Sequence, residues 1–258
     1  MGNGDSKNVK SIVKAAAIID ILAGSDAPMA LSAISRKLDM AKSTLHGLIS
    51  TLVDVGYVAQ DVETGYYFLG FKLFEIGSTV SRKWNERKLA YPHMQKLADL
   101  TGETVHLAVL DDGEVLYILK QESSDSIRIV TDMGIKLPAH CTGLGKVLLS
   151  GLLPYDFKKY TRVRSLDRYT DTTITSLEGL QEELDRIRAQ GFAIDEQEFI
   201  EGLRCVAVPI HNHRGEVTCA LSIAGPVARM RGQAFEAKLQ SLLDAANEIS
   251  RQMGYKTG

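Results

Sequence analysis

The chain has few cysteines, no strong charge of either sign and no long apolar run, and each lack removes a class of protein. Its three cysteines, Cys141, Cys205 and Cys219, stand apart and form no CxxC pair. They are too few and too scattered for a disulfide framework, and a reducing, cytoplasmic setting is the natural one. A formal net charge of −2 over 258 residues argues against a protein held to nucleic acid by bulk charge. Any such contact has to be a local surface. The apolar run over 15–23 is broken by Asp20, and nothing later approaches the roughly 18 uninterrupted apolar residues of a membrane span. No secretory signal is visible, so no membrane partner is expected. Met1-Gly2-Asn3-Gly4-Asp5-Ser6 fits a loose myristoylation pattern, but Asp5 lies inside it and no polybasic stretch follows. A polar leader is the better reading. No GxSxG or HExxH signature occurs, and no internal repeat or low-complexity run. The segment before Gly145-Lys146 fails as a phosphate loop: His140 stands at its first glycine and Val147 at the magnesium-holding hydroxyl.

What is present is ordinary globular composition, 45% hydrophobic and 24% charged, in a chain long enough for two cores. Ile12, Ala16, Ile19 and Leu22 recur at helical spacing until Gly24. Residues 32–38 and 42–55 are two further helical patterns, separated by Asp39-Met40-Ala41 and ended by Gly56. The period then changes. Residues 57–59 and 66–69 read as strands about the turn Glu63-Thr64-Gly65. Residues 71–99 read as largely helical, with Pro92 as a break or a new first turn. Residues 104–110 and 115–120 flank a hairpin turn, Asp111-Asp112-Gly113-Glu114. Helical patterns follow at 142–152 and 176–190. A second hairpin, 203–210 and 217–224, turns through His211-Asn212-His213-Arg214-Gly215, and a last helix covers 233–253. Strands and helices in this order predict an α+β chain with an antiparallel sheet, not a doubly wound one. The expected domains are a winged helix-turn-helix over 8–70, a linker helix and dimer contact over 71–91, and an effector-binding domain over 92–258.

Three helices and a hairpin within the first seventy residues form the winged-helix arrangement, whose second closely joined helix enters the DNA major groove. In the helix that starts at Lys42, Leu45, Leu48, Ile49 and Leu52 are spaced to pack inward. Lys42, Ser43, Thr44, His46 and Gly47 are left outside near the amino end. A lysine there takes a phosphate or a guanine, and short hydroxyls reach a backbone oxygen or a base edge. Arg36 and Lys37 sit where the preceding helix crosses phosphates. Charge alone does not make this case, because residues 1–80 hold seven Lys/Arg against eight Asp/Glu. The order of elements carries it.

These residues resemble the IclR family of bacterial transcriptional regulators. The similarity rests on Ala30-Leu31-Ser32, Lys42-Ser43-Thr44-Leu45-His46, Gly56-Tyr57-Val58 and Tyr66-Tyr67-Phe68-Leu69-Gly70. It continues through Thr101-Gly102-Glu103-Thr104-Val105-His106-Leu107, Leu137-Pro138-Ala139-His140-Cys141-Thr142, Gly145-Lys146, Gly202-Leu203-Arg204-Cys205 with Pro209, and Ser222-Ile223 with Gly225-Pro226. The resemblance implies a GAF-like sensor domain and adds Ser32 to the DNA-facing residues. It also implies a repressor acting as a homodimer or dimer of dimers on a pseudo-palindromic operator. One departure is Gly47, where the family commonly carries arginine. It removes a DNA contact and costs about 1 kcal/mol of helix propensity.

Thr142-Gly143-Leu144-Gly145 opens a helix whose free N–H groups make an anion site, with a carboxylate as the obvious guest. A plain helix cap with glycines for tight packing explains the residues alone more simply. The resemblance decides for the former: it implies that backbone at Gly143 and Leu144, and the side chains of Asp195, Cys205 and Ser222, hold a small carboxylate effector. A further serine of the family is Ala224 here, one donor fewer. No cofactor, metal or catalytic residue is expected. Two alternatives stand beside this reading. A metal-responsive regulator would use His211, His213 or a meeting of His106, His140, Cys141 and Cys205. A hydrolase would use Cys141 or Cys205 as nucleophile with a histidine base.

Overall fold

The computed structural model describes residues 8–122 and 132–256, apart from the side chains of Ser81 and Arg82. The myristoylation pattern lies outside the described residues. The chain forms two compact units that divide between Lys83 and Trp84.

The first unit runs α1 (Lys10–Ala23), α2 (Leu31–Lys37), α3 (Lys42–Asp54), β1 (Val58–Gln60), β2 (Tyr67–Leu69) and α4 (Phe71–Lys83). Leu45, Ile49 and Leu52 lie on one face of α3 by helical spacing. They close a core with Ile18 and Leu22 of α1, Ile34 of α2, Val58 and Tyr67. Each such side chain contributes about 1.5–3 kcal/mol when fully buried, which is what holds three short helices together. The turn between α2 and α3 passes through Asp39 at φ +47°, a left-handed conformation that aspartate tolerates better than most residues. Met29 exchanges two backbone hydrogen bonds of 2.8 Å with Tyr67, tying the turn after α1 to the β1–β2 wing. By contrast α4 buries none of its described side chains within its unit. Phe71, Phe74, Ile76 and Val80 are exposed.

The second unit runs α5 (Asn85–Thr101), β3 (Thr104–Asp111), β4 (Glu114–Gln121), β5 (Lys136–Pro138), α6 (Gly143–Ser150), α7 (Pro154–Val163), α8 (Leu177–Gln190), β6 (Ala193–Glu196), β7 (Leu203–His211), β8 (Val217–Pro226) and α9 (Gly232–Gln252). Its antiparallel sheet has the order β5-β4-β3-β8-β7-β6. Alternation along the strands feeds two cores. Val105, Leu107, Val206, Val208, Leu221 and Ile223 pack against α5 and α9. Ala108, Tyr117, Ala207 and Ala220 lie under α6 and α8, and the small side chains of the three alanines let α6 sit close to the sheet.

The strand register sets four residues side by side on the α6 face. Thr104 pairs with Ala224, Ala224 with Cys205 and Cys205 with Asp195. Directly opposite residues of an antiparallel pair share a face, so the four form one cross-strand row.

The helix expected over 71–99 is two helices, and the interruption falls at Trp84, not at Pro92. Pro92 lies inside α5 on its exposed side. The carbonyl left without a donor there belongs to Lys88, itself an exposed residue. Burial of Ala90, Met94, Leu97 and Ala98 outweighs the roughly 3 kcal/mol that an interior proline costs. The stretch 71–91 is therefore not one continuous linker helix.

Candidate functional site

All eight residues proposed for DNA contact, Ser32, Arg36, Lys37, Lys42, Ser43, Thr44, His46 and Gly47, are exposed. They occupy α2 and the first turns of α3, on the side away from Leu45 and Ile49. Lys72 of the same unit is paired with Glu75 at 2.7 Å. Among the described residues no carboxylate pairs with Arg36, Lys37 or Lys42, so their charge is available to a polyanion. The positive end of α3 adds to it. A Cβ placed on Gly47 meets nothing within 4 Å, so the exposed face has room for the side chain that this chain omits. The wing tip has the opposite sign. Asp61 Oδ1 accepts from the Thr64 N–H (2.7 Å), the Glu63 N–H (3.1 Å) and the Thr64 hydroxyl (2.7 Å). The Thr64 N–H and hydroxyl, then the Glu63 N–H, hold its carboxyl below the ordinary value. With Glu63 beside it and no Lys or Arg between residues 58 and 69, the wing tip repels phosphate.

In the second unit, Gly143, Leu144, Asp195, Cys205 and Ser222 line one cavity of about 30 Å³, with His106, Tyr117, Leu137, Thr142, Phe199, Ile200, Leu203 and Ala224. Residues far apart in the chain meet there because α6 crosses the row that ends at Asp195. Thr142 caps α6: its hydroxyl accepts from the Gly145 N–H at 3.2 Å and donates to the Pro138 carbonyl at 3.1 Å. The Lys146 N–H starts the helical ladder on the Thr142 carbonyl. That leaves the Gly143 and Leu144 N–H groups without a partner among the described residues. Close approach requires glycine at 145 and favours it at 143. A Cβ on Gly145 would lie 2.2 Å from the Ala139 carbonyl oxygen, and one on Gly143 would crowd Cys205 Sγ at 3.3 Å.

The side chains around these two donors are mostly uncharged. Asp195 is buried in β6, and its Oδ1 accepts from the Glu198 N–H at 2.7 Å. Burial, then the nearby Glu198, pushes its carboxyl up to about 7. Burial, then Asp195, pushes the Cys205 thiol up to about 12. Ser222 is close enough to ease that shift slightly, but its hydroxyl finds no hydrogen bond of ordinary geometry among the described residues. Burial, then Lys120, brings His106 down to about 3, so it is neutral. Its ring meets Tyr117 edge-on at 5.2 Å.

A buried ion cluster lies beneath this wall, and the sequence reading missed it. Lys146 Nζ donates to Glu183 Oε1 at 3.0 Å, to the Ile194 carbonyl at 2.6 Å and to Glu198 Oε1, which uses all three of its protons. Burial pulls the ammonium down, and Glu198 and Glu183 more than offset it. Lys146 thus anchors the segment that carries Phe199 and Ile200 over the cavity. The signal available in sequence was a lone lysine within the apolar run of α6, since a fully buried lysine has to be paired. His106 and Tyr117, one strand apart, gave no such signal.

Of the residues named for the two alternative readings, His106 and Cys205 share the cavity, yet neither chemistry is set up there. Among the described residues no three His, Cys, Asp or Glu side chains gather as for a metal. His211 stacks on Tyr255 at 4.9 Å, and His140 Nε2 donates to the Asp167 carbonyl at 3.0 Å. Burial also raises the Cys141 thiol, the reverse of what a nucleophile needs.

Known proteins place both units. Residues 11–62 match the model described as "IclR helix-turn-helix domain" and residues 79–251 the one described as "Bacterial transcriptional regulator IclR C-terminal". The chain is 36% identical over 248 residues to the HTH-type transcriptional regulator KdgR of Escherichia coli, covering 96% of this chain and 94% of that one. Among solved structures it is similar to the Thermotoga maritima IclR, with a TM-score of 0.77, 34% identity and 95% and 99% of the two chains covered. An IclR homolog of Microbacterium hydrocarbonoxydans complexed with 4-hydroxybenzoate shares the fold at a TM-score of 0.82 and 24% identity, over 94% and 98% of the chains.

Proposed function

Because the chain belongs to the IclR family and is a helix-turn-helix regulator of transcription, we propose that a small carboxylate in the α6 cavity controls its grip on operator DNA. The observation that carries this reading is the pair of N–H groups at Gly143 and Leu144, unpartnered among the described residues, on residues that line a cavity with Asp195, Cys205 and Ser222. Two backbone donors at the positive end of α6 suit a carboxylate. Ser222 supplies a hydroxyl that has no other partner among the described residues. Asp195 stands beside Gly143, and its raised carboxyl, about half protonated near pH 7, donates to the ligand's carboxylate without the repulsion a full carboxylate would bring. The Microbacterium relative is described with 4-hydroxybenzoate, itself a carboxylate.

The DNA side of the reading assigns Lys42 and Arg36 to phosphates and Ser43, Thr44 and His46 to base edges of a pseudo-palindromic operator. Two copies joined through α4, or a dimer of dimers, present two such helices one helical turn or a multiple apart. Repression is the simpler mode, since a symmetric dimer on an operator blocks transcription without a further contact. Such a protein works in the cytoplasm, and no helix of the described residues is long and apolar enough to cross a membrane. It is a regulator and not a catalyst, in keeping with thiols that burial holds protonated. A thermal-shift screen of small carboxylates tests the reading, because a ligand bound to the folded state raises the midpoint by mass action. The best acid should also shift operator affinity in a gel titration. Ser222→Ala should weaken its binding by about 1 kcal/mol, the worth of one hydrogen bond. A neutral or cationic effector, or unchanged binding in Ser222→Ala, would place the site elsewhere.

A further inference from the structure

Thr104, the first residue of β3, is fully buried, and its hydroxyl has no hydrogen-bond partner among the described residues. The same holds for Ser222 on β8. Buried hydroxyls are normally paired, and each one left unpaired costs the molecule its desolvation. The other buried threonines show the rule at work. Thr142 bonds to the Pro138 carbonyl at 3.1 Å and Thr173 to the Glu198 carbonyl at 2.6 Å. Two exceptions on one sheet face, two residues apart in register, need a common cause.

The register supplies it. Thr104 lies opposite Ala224, and His106 opposite Ser222. Thr104 therefore ends the row Asp195, Cys205, Ala224, in which each of the other three lines the cavity. Ala224 offers only a methyl for the Thr104 hydroxyl to meet. Although Thr104 is not itself in the cavity lining, its neighbours Ala224, Ser222 and His106 all are, so a cavity widened by a ligand reaches it next. Ser222 is the diagonal neighbour of Thr104, with Cβ atoms at most about 7–8 Å apart. One oxygen between them reaches both hydroxyls at about 2.8 Å each.

We propose that Thr104 is a specificity-determining contact of the effector site, acting with Ser222 on a hydroxyl or carbonyl oxygen that the ligand carries in addition to its carboxylate. The ligand class is then an oxygenated carboxylic acid, with its carboxylate on Gly143 and Leu144 and its second oxygen at β3–β8. A plain alkanoate leaves both hydroxyls unpaired and binds less well. This rests on the carboxylate reading above and adds to it the far end of the ligand.

The test uses the full chain and three matched pairs of probes: propionate with lactate, butyrate with 3-hydroxybutyrate, and benzoate with 4-hydroxybenzoate. Calorimetry on wild type should show the oxygenated member of at least one pair binding about fivefold tighter or more, as one added hydrogen bond implies. Thr104→Val keeps the shape and removes the hydroxyl. It should bind both members of that pair alike, and Thr104→Ser should restore the preference. The unliganded Thr104→Val protein should melt no lower than wild type, because no hydrogen bond is lost. A Thr104→Val variant that keeps the preference, a wild type that binds acids without any preference, or a lower melting point of the free variant would each overturn the role of Thr104 and leave the carboxylate reading standing. If none of the six acids binds wild type, the carboxylate reading fails, and the Thr104 assignment falls with it.

Discussion

Asp195 faces Cys205 across the β6–β7 pair and takes a hydrogen bond from the Glu198 N–H, with its carboxyl pushed up to about 7 from an ordinary 3.8. A raised carboxyl keeps its proton in the folded chain over a range where the unfolded chain has lost it. Stability from this group is therefore intact below about pH 4 and is lost as pH rises to about 7. The groups facing it are Glu198, Glu196, Cys205, Cys141, Tyr117 and the Lys146 ammonium, and of these only Lys146 opposes the shift by its charge. A difference of that size corresponds to at most about 4 kcal/mol. Asp195→Asn keeps an oxygen for the Glu198 N–H and removes the proton exchange. Urea denaturation at pH 5 and pH 8 should show wild type losing stability at the higher pH and the variant losing clearly less. Parallel behaviour would mean that Asp195 titrates like an exposed acid. The same sign governs ligand binding: a carboxylate beside Asp195 favours its protonated form, so affinity should rise as pH falls from 8 to 6.

At the scale of elements, α3 carries two separable properties, its contact with DNA and its own stability. Lys42→Ala should weaken operator binding on every sequence to a similar degree and lower the slope of log affinity against log salt by about one. Unchanged affinity in a gel titration would take α3 out of the interface. Gly47→Ala acts on the helix alone. Its Cβ meets nothing within 4 Å, so the gain of about 1 kcal/mol in helix propensity should appear as a higher melting point of the first unit, and a lower one would point to a contact that this surface lacks. The helix-turn-helix was legible because its cues are local: a 3.6-residue period, a tight turn at Asp39 and a glycine after α3. The two long hairpins were legible for the same reason. Strands β5 and β6, three and four residues long, are too short to show a period, and α7 begins at Pro154 without a capping side chain. Trp84 rather than Pro92 ends the first helix because tertiary burial of α5 overrides a local rule. Of the cavity, the cap at Thr142 could be read directly, and Asp195, Cys205 and Ser222 came from the resemblance. The Lys146 cluster joins residues 37 and 52 positions apart, and the orphan hydroxyl of Thr104 exists only through strand register. The first leaves only a lone lysine in the apolar run of α6 as its trace, and the second leaves none.

For the whole molecule, the surface least accounted for by its own unit is α4. Phe71 is 87% exposed and Phe74 75%, more apolar surface than a lone helix keeps in water without a partner. The proposed homodimer covers it. Phe71→Ser with Phe74→Ser should shift light scattering toward the monomer and cost most of the operator affinity, since a single winged helix reads only one half-site. A variant that stays dimeric and binds as before would move the contact to another face. The acidic wing tip narrows how such a dimer lies on DNA, because Asp61 and Glu63 leave α2 and α3 to supply the attraction. The size of the α6 cavity acts on time, not on place. At about 30 Å³ it has room for one or two waters, and an organic acid enters only when Phe199 and Ile200 give way. Arrival is then set by how often that wall opens and departure by the same opening, with the apparent affinity reduced by the fraction of time spent open. A metabolite that surges and vanishes between openings leaves the regulator as it was. Only a level that persists is registered, so the narrowness of the cavity makes the gene's response an average over time and not a copy of each fluctuation.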